Sequence, residues 1–131
     1  MRKDIDIPQV ENVHIVAVKE WNEELTDQFW NVYVVNNRKE EISMVLVISR
    51  GSDADRKTST IRQNLGDIQS QNSVKVEFIA DEVLEFTNEY LVTFFAGNTL
   101  YERKFVFEAK SISDKKVVQI PVLESKGILA K

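Results

Sequence analysis

Residues 90–107, YLVTFFAGNTLYERKFVF, contain the clearest local fold signal in the chain. Two segments rich in β-branched and aromatic residues, 90–96 and 100–107, flank the tripeptide Gly97-Asn98-Thr99. Such residues favour strands, and glycine and asparagine readily adopt the positive φ that a tight turn between strands requires. The stretch therefore predicts an antiparallel β-hairpin.

A second segment, residues 73–79 (SVKVEFI), alternates apolar and polar side chains. A period of two is typical of a strand with one buried face. The pattern predicts that Val74, Val76 and Phe78 point inward while Lys75 and Glu77 point to solvent.

Further strands are predicted on both sides of these two segments. They are 13–19, 29–35 as a central strand, 42–49, a weak edge strand at 58–62, and a short edge strand at 117–122 that contains Pro121. The polar stretches 20–27, 36–41 and 64–72 predict connections. Seven or eight strands at this spacing, without a long amphipathic helix, predict a two-sheet antiparallel sandwich, with a small β-barrel as the alternative.

Composition agrees with an all-β domain. Hydrophobic residues make up 43% of the 131 residues, and 17 Val and 11 Ile outnumber 8 Leu and 6 Ala. β-Branched residues favour strands over helices. The expectation is a single domain over 1–131, with short flexible ends near 1–8 and 124–131.

Three stretches resemble immunoglobulin-like and fibronectin type III-like sandwiches: FWNVYVVNN running into VLVISRG, NLGDIQSQNSVKVEF, and NEYLVTFF. The resemblance implies that Trp30 is the core tryptophan. It also implies that Tyr90 forms a tyrosine corner, with its hydroxyl bonded to backbone in the preceding crossover, 80–89. The antibody disulfide is absent, because the chain has no cysteine.

The whole chain also resembles a family of short uncharacterised bacterial proteins, some of which are labelled phenylalanyl-tRNA synthetase subunits. A synthetase catalytic domain needs an ATP-binding sheet with long helices. Neither the length nor the signature residues of such a domain occur here.

Net charge and hydropathy disfavour several classes of partner and of cellular location. The formal net charge is -4, which disfavours nucleic acid and anionic membranes. No apolar run approaches the roughly 18 residues of a membrane span, and the charged start MRKDID is unlike a signal peptide. The expected location is the cytoplasm.

No catalytic residue, cofactor site or metal site is predicted. His14 is the single histidine, whereas zinc and iron sites normally use several imidazoles or thiolates. Asp53 and Asp55 give only part of a calcium loop, since Arg56 and Lys57 follow where ligand and turn residues belong.

Trp21 is the most informative candidate for binding, because it lies in a polar, acidic stretch. Tryptophan is highly covered in most proteins, so burial against the sheet is the commoner outcome. If Trp21 is exposed, Trp21 with Phe29 is the first candidate for a partner-binding patch. The leading hypothesis is a non-enzymatic protein-interaction or structural accessory module, able to bind another protein or itself. The alternative is a small-molecule-binding or enzymatic domain with a pocket near His14 and Trp21.

Overall fold

The computed structural model describes residues 10–131, so the predicted flexible end at 1–8 lies outside the described residues. Within that part of the chain there are nine strands and two short 3₁₀ turns, Asp81–Glu85 and Asp114–Lys116. The strands are β1 (Val13–Trp21), β2 (Gln28–Asn36), β3 (Ile42–Ser52), β4 (Ile61–Ile68), β5 (Asn72–Ile79), β6 (Thr87–Ala96), β7 (Thr99–Phe107), β8 (Val118–Gln119) and β9 (Lys126–Leu129).

The strands form two antiparallel sheets that pack face to face. Sheet 1 has the order β5-β2-β1-β9-β8, and sheet 2 has the order β4-β3-β6-β7. The predicted all-β sandwich is confirmed, and the barrel alternative is wrong because the two sheets do not close on each other. The predicted number of strands, seven or eight, is below the nine in the structure, because two very short C-terminal strands, β8 and β9, join the edge of sheet 1.

The core lies between the sheets and follows the alternation in the sequence. On β2, Trp30, Val32 and Val34 face inward and are at most 5% exposed. The outer face of β1 is apolar as well, because Val16 and Val18 are covered in a second small cluster that includes Ile120. The C-terminal segment that contains Ile120 therefore explains why both faces of β1 are hydrophobic.

The predicted hairpin is confirmed as β6 and β7. Ala96 pairs with Thr99 across a two-residue loop, and Gly97 has a φ of 62°. Glycine with positive φ at the first central position is the pattern of a type II′ turn, whose twist matches that of the flanking strands.

The edge strand β4 lies later in the sequence than predicted. Residues 58–60 are loop, and Ile61–Ile68 forms the strand, so most of the predicted turn 64–72 is in fact β structure. Gly66 has a φ of 71° next to an irregularity in the pairing with β3. A bulge at a sheet edge tolerates glycine and polar residues, which gave this strand the sequence character of a turn.

Within the end at 124–131, for which the sequence predicts flexibility, Lys126–Leu129 forms strand β9. Leu129 pairs with Val16, Ile128 is only 7% exposed, and Lys131 exchanges two backbone hydrogen bonds of 2.9 and 3.0 Å with Val106. These last residues thus connect β1 of sheet 1 to β7 of sheet 2.

The register of β5 changes at Val76. Val32 pairs with Glu77, but the next residue, Tyr33, pairs with Lys75, so Val76 is an extra residue in a β-bulge. A bulge places two residues of one strand opposite a single residue of its partner. Side chains beyond the bulge therefore point to the opposite faces from those that strict alternation predicts. The prediction for 73–79 is therefore wrong after the bulge: the Glu77 side chain points inward, and Phe78 is 58% exposed.

Candidate binding surface

The bulge in β5 places a third aromatic residue beside the two that the sequence predicts as a patch. The rings of Phe29 and Phe78 meet edge to face, with centroids 6.0 Å apart. Trp21, at the end of β1, lines the same groove and is 57% exposed, which is the less common of the two outcomes considered from the sequence. Trp21, Phe29 and Phe78 are called the aromatic patch below.

The aromatic patch borders a groove of about 410 Å³ on the outer face of sheet 1. Its polar side is held in place by Glu20, whose Oε1 accepts hydrogen bonds from Asn31 Nδ2 at 2.8 Å and the Tyr33 hydroxyl at 2.6 Å. Burial, together with the bond to Glu20, raises the pKa of Tyr33 to about 12. The hydroxyl therefore remains a donor throughout the physiological pH range.

The acidic stretch after Trp21 is an ordered turn. Asn22 donates its backbone N–H to the Asp27 carbonyl at 2.9 Å, and its side-chain oxygen accepts the Thr26 N–H at 3.0 Å. This turn joins β1 to β2 and brings Glu23 to the rim of the groove. The groove thus combines flat aromatic surface with fixed hydrogen-bonding groups, an arrangement suited to recognition.

The pocket suggested for His14 and Trp21 together is not formed. His14 pairs with Val35 and Trp21 with Gln28, at opposite ends of the same two strands. Seven residues of extended chain separate them, which is roughly 23 Å. Partial burial, and secondarily the charge of Arg103, lowers the pKa of His14, so the imidazole is neutral at pH 7.

No group of three or more His, Cys, Asp or Glu side chains is placed to hold a metal ion among residues 10–131. The Asp53 carboxylate is bound by the Arg56 guanidinium at 2.7 and 3.0 Å, and it also caps the backbone N–H groups of Asp55 and Arg56. The hydrogen bond from Arg56 is the main reason that the pKa of Asp53 is lowered. This loop is a turn closed by its own side chains.

Tyr90 is 1% exposed, but its hydroxyl does not form the bond to the crossover that the resemblance implies. It donates to Glu77 Oε2 at 2.8 Å, and Ser49 Oγ donates to Glu77 Oε1 at 3.1 Å. The bulge turned the carboxylate toward Tyr90, and a charged acceptor forms a stronger bond than a backbone carbonyl does. The crossover is instead held by Asn88, whose amide donates to the carbonyls of Val83 and Phe86.

Sequence reasoning found Trp21, Phe29, Trp30 and Tyr90 but missed Phe78 and Glu77. Strict alternation assigned Phe78 to the core and Glu77 to solvent. A bulge has no obligatory residue type, so no signal within residues 73–79 marks it.

Comparison with models of known protein families gives no match. A search of curated proteins finds no similar sequence. In the described part of the chain, no helix is long and apolar enough to cross a membrane.

Proposed function

We propose that this protein is a non-enzymatic interaction module that binds a protein partner through the aromatic patch. The observation that carries the proposal is the clustering of Trp21, Phe29 and Phe78, which are 57%, 39% and 58% exposed on one surface. Contiguous exposed apolar side chains with a polar rim are typical of protein-binding sites. Tryptophan in particular is enriched among the residues that dominate binding energy.

The polar groups around the patch support the same function. Asn31 and Tyr33 are fixed by Glu20, and the groove is also lined by one positive charge, Lys75, and one further negative charge, Glu23. Fixed polar groups at the rim give specificity, while the aromatic centre excludes water. The partner is expected to offer apolar side chains surrounded by polar ones.

The strand order supports an immunoglobulin-like arrangement for the module. Strands β1, β2 and β5 belong to one sheet, and β3, β6 and β7 to the other. With β4 as the strand C′ beside C, these sets correspond to A, B and E and to C, F and G of that fold. A cytoplasmic location and the absence of a nucleic-acid partner stay predictions of the sequence.

The test is a comparison of two double variants as affinity baits. Trp21→Ala/Phe78→Ala removes the two most exposed residues of the patch, and Met44→Ala/Leu100→Ala removes two apolar residues that are 68% and 54% exposed on sheet 2. Both variants are expected to unfold at nearly the same denaturant concentration as the wild type, because the changed side chains are exposed. Self-association is measured in parallel by sedimentation.

In the patch variant, the affinity for the bound protein, or for a second copy of the chain, is expected to fall by about 30-fold or more. This is the consequence of removing side chains that contribute about 2 kcal/mol to binding. The sheet 2 variant is expected to bind as the wild type does. Equal binding by both variants would show that the aromatic patch is not the interface.

A further inference from the structure

A second cavity, the inter-sheet cleft, lies on the opposite side of edge strand β5 from the aromatic patch. It has a volume of about 490 Å³ and opens between β4 and β5, the edge strands of the two sheets. Its walls are mainly apolar and include Ile61, Val76, Ile79 and the ring of Tyr90. This volume is in the range of sites that bind small molecules.

One carboxylate faces this apolar space. The bulge at Val76 turns Glu77 inward, where its two oxygens accept single hydrogen bonds from Ser49 and Tyr90. Ser49 and Tyr90 are only 4% and 1% exposed, so the core holds both donors in place. A carboxylate has about four acceptor positions, and further positions of Glu77 therefore remain for a ligand.

Both of these donors are neutral, and no cation pairs with Glu77 among the residues that the structure describes. Two cations line the cleft but are directed elsewhere. Arg50 binds Glu89 at 3.0 Å, and Lys75 lies on the outer face of β5, where it pairs with Tyr33. A carboxylate in a mainly apolar cavity gains most from a partner that carries a positive charge.

We propose that the inter-sheet cleft binds a small organic amine. The ammonium group donates to Glu77, and the apolar body of the amine packs against Ile61, Ile79 and the Tyr90 ring. The hydroxyls of Ser49 and Tyr90 hold the carboxylate in position and, because they are uncharged, do not neutralise its negative charge. Phe78 and Lys75 line both this cleft and the groove of the aromatic patch, but Glu77 lines the cleft alone. The proposal rests on Glu77 and does not depend on the function proposed for the patch.

The test titrates the ¹⁵N-labelled protein at about pH 7 with three probes of similar shape: 2-phenylethylamine, 2-phenylethanol and 3-phenylpropionate. Amide shifts are expected to centre on Gly51, Gln63 and Asn88, which line the cleft. The amine is expected to bind at least about tenfold more tightly than the alcohol, since hydrogen bonds to charged groups are the stronger ones. The carboxylate probe is expected to bind more weakly than either.

Two charge-removing variants complete the test. Glu77→Gln is expected to bring the affinity for the amine down to that for the alcohol, while Glu102→Gln, an exposed position on β7, is expected to leave it unchanged. The proposal is overturned by equal affinities of the wild type for amine and alcohol, by shifts centred on the Trp21 indole, or by unchanged amine binding in Glu77→Gln. If Glu77→Gln does not fold, the comparison of the three probes on the wild-type protein still tests the proposal.

Discussion

Tyr90→Phe removes one hydroxyl from the centre of the sandwich and leaves the aromatic ring in place. The ring is 1% exposed and meets Phe107 edge to face at 5.9 Å, a contact that the variant keeps. The change therefore isolates the 2.8 Å hydrogen bond from the hydroxyl to Glu77. Burial, and secondarily the nearby Glu77 charge, raises the pKa of Tyr90 far above its usual range, so the hydroxyl is a donor at neutral pH.

The expected loss in the free energy of unfolding is about 1.5 to 3 kcal/mol, the range for a hydrogen bond to a charged group. Glu77 keeps its 3.1 Å bond from Ser49 and faces the inter-sheet cleft, where water can replace the lost donor. The loss is therefore expected in the lower half of that range.

The measurement is equilibrium denaturation, with Tyr101→Phe as the matched control. Tyr101 is half-buried and stacks on Phe94 at 5.3 Å, and no hydrogen bond of its hydroxyl is present in the described structure. The control is expected to change stability by no more than about 0.5 kcal/mol. A Tyr90→Phe variant as stable as the control would refute the assigned bond.

A double-mutant cycle of Tyr90→Phe with Glu77→Gln tests the pairing directly. Groups that share a buried hydrogen bond are expected to show a coupling energy of about 0.5 kcal/mol or more. Additive effects would mean that the hydroxyl stabilises the protein through another contact. Amide exchange in the crossover, 80–86, is expected to be nearly unchanged in Tyr90→Phe, in contrast to what a tyrosine corner implies.

Three further changes test other parts of the structure. Asn88→Ala removes the side chain that holds the turn Asp81–Glu85, so it is expected to cost about 1 to 3 kcal/mol and to speed amide exchange there, whereas unchanged exchange would contradict this role. Because the pKa of Tyr33 is raised to about 12 in the folded protein from about 10 when unfolded, its contribution to stability is complete below about pH 10 and is lost as the pH rises toward about 12. Tyr33→Phe is therefore expected to make the alkaline decline in stability shallower, and an identical decline would argue against the shifted pKa. Gly127→Ala would make a Cβ overlap the Ala17 carbonyl oxygen, so it is expected to destabilise the protein by about 1 to 3 kcal/mol and to expose β9 to amide exchange. Unaltered protection of β9 would contradict this expectation.

Much of the fold could be predicted from the sequence because strand signals are local. The β-branched and aromatic segments 13–19 and 29–35 marked β1 and β2, and Gly97 marked the turn of the β6–β7 hairpin. These features depend on neighbouring residues alone. By contrast, the prediction placed β4 too early in the sequence, because an edge strand with a bulge has the composition of a turn.

The candidate sites depended more on tertiary structure. The sequence identified Trp21 and Phe29 as candidates, but whether Trp21 is covered depends on the elements that pack near it, and none covers it here. Phe78 and Glu77 exchanged their expected faces because Val76 is an extra residue in the pairing of β5 with β2.

What the sequence by itself determined is the position of most strands and the alternation of side chains along them, since a period of two is a property of the extended backbone. Only the tertiary structure decided the bulge at Val76, because a bulge is set by the pairing of β5 with β2, about forty residues away in sequence. That one extra residue moved Phe78 to the aromatic patch and Glu77 to the inter-sheet cleft. Both proposed binding sites therefore depend on a pairing between distant segments, which the residues of neither strand specify alone.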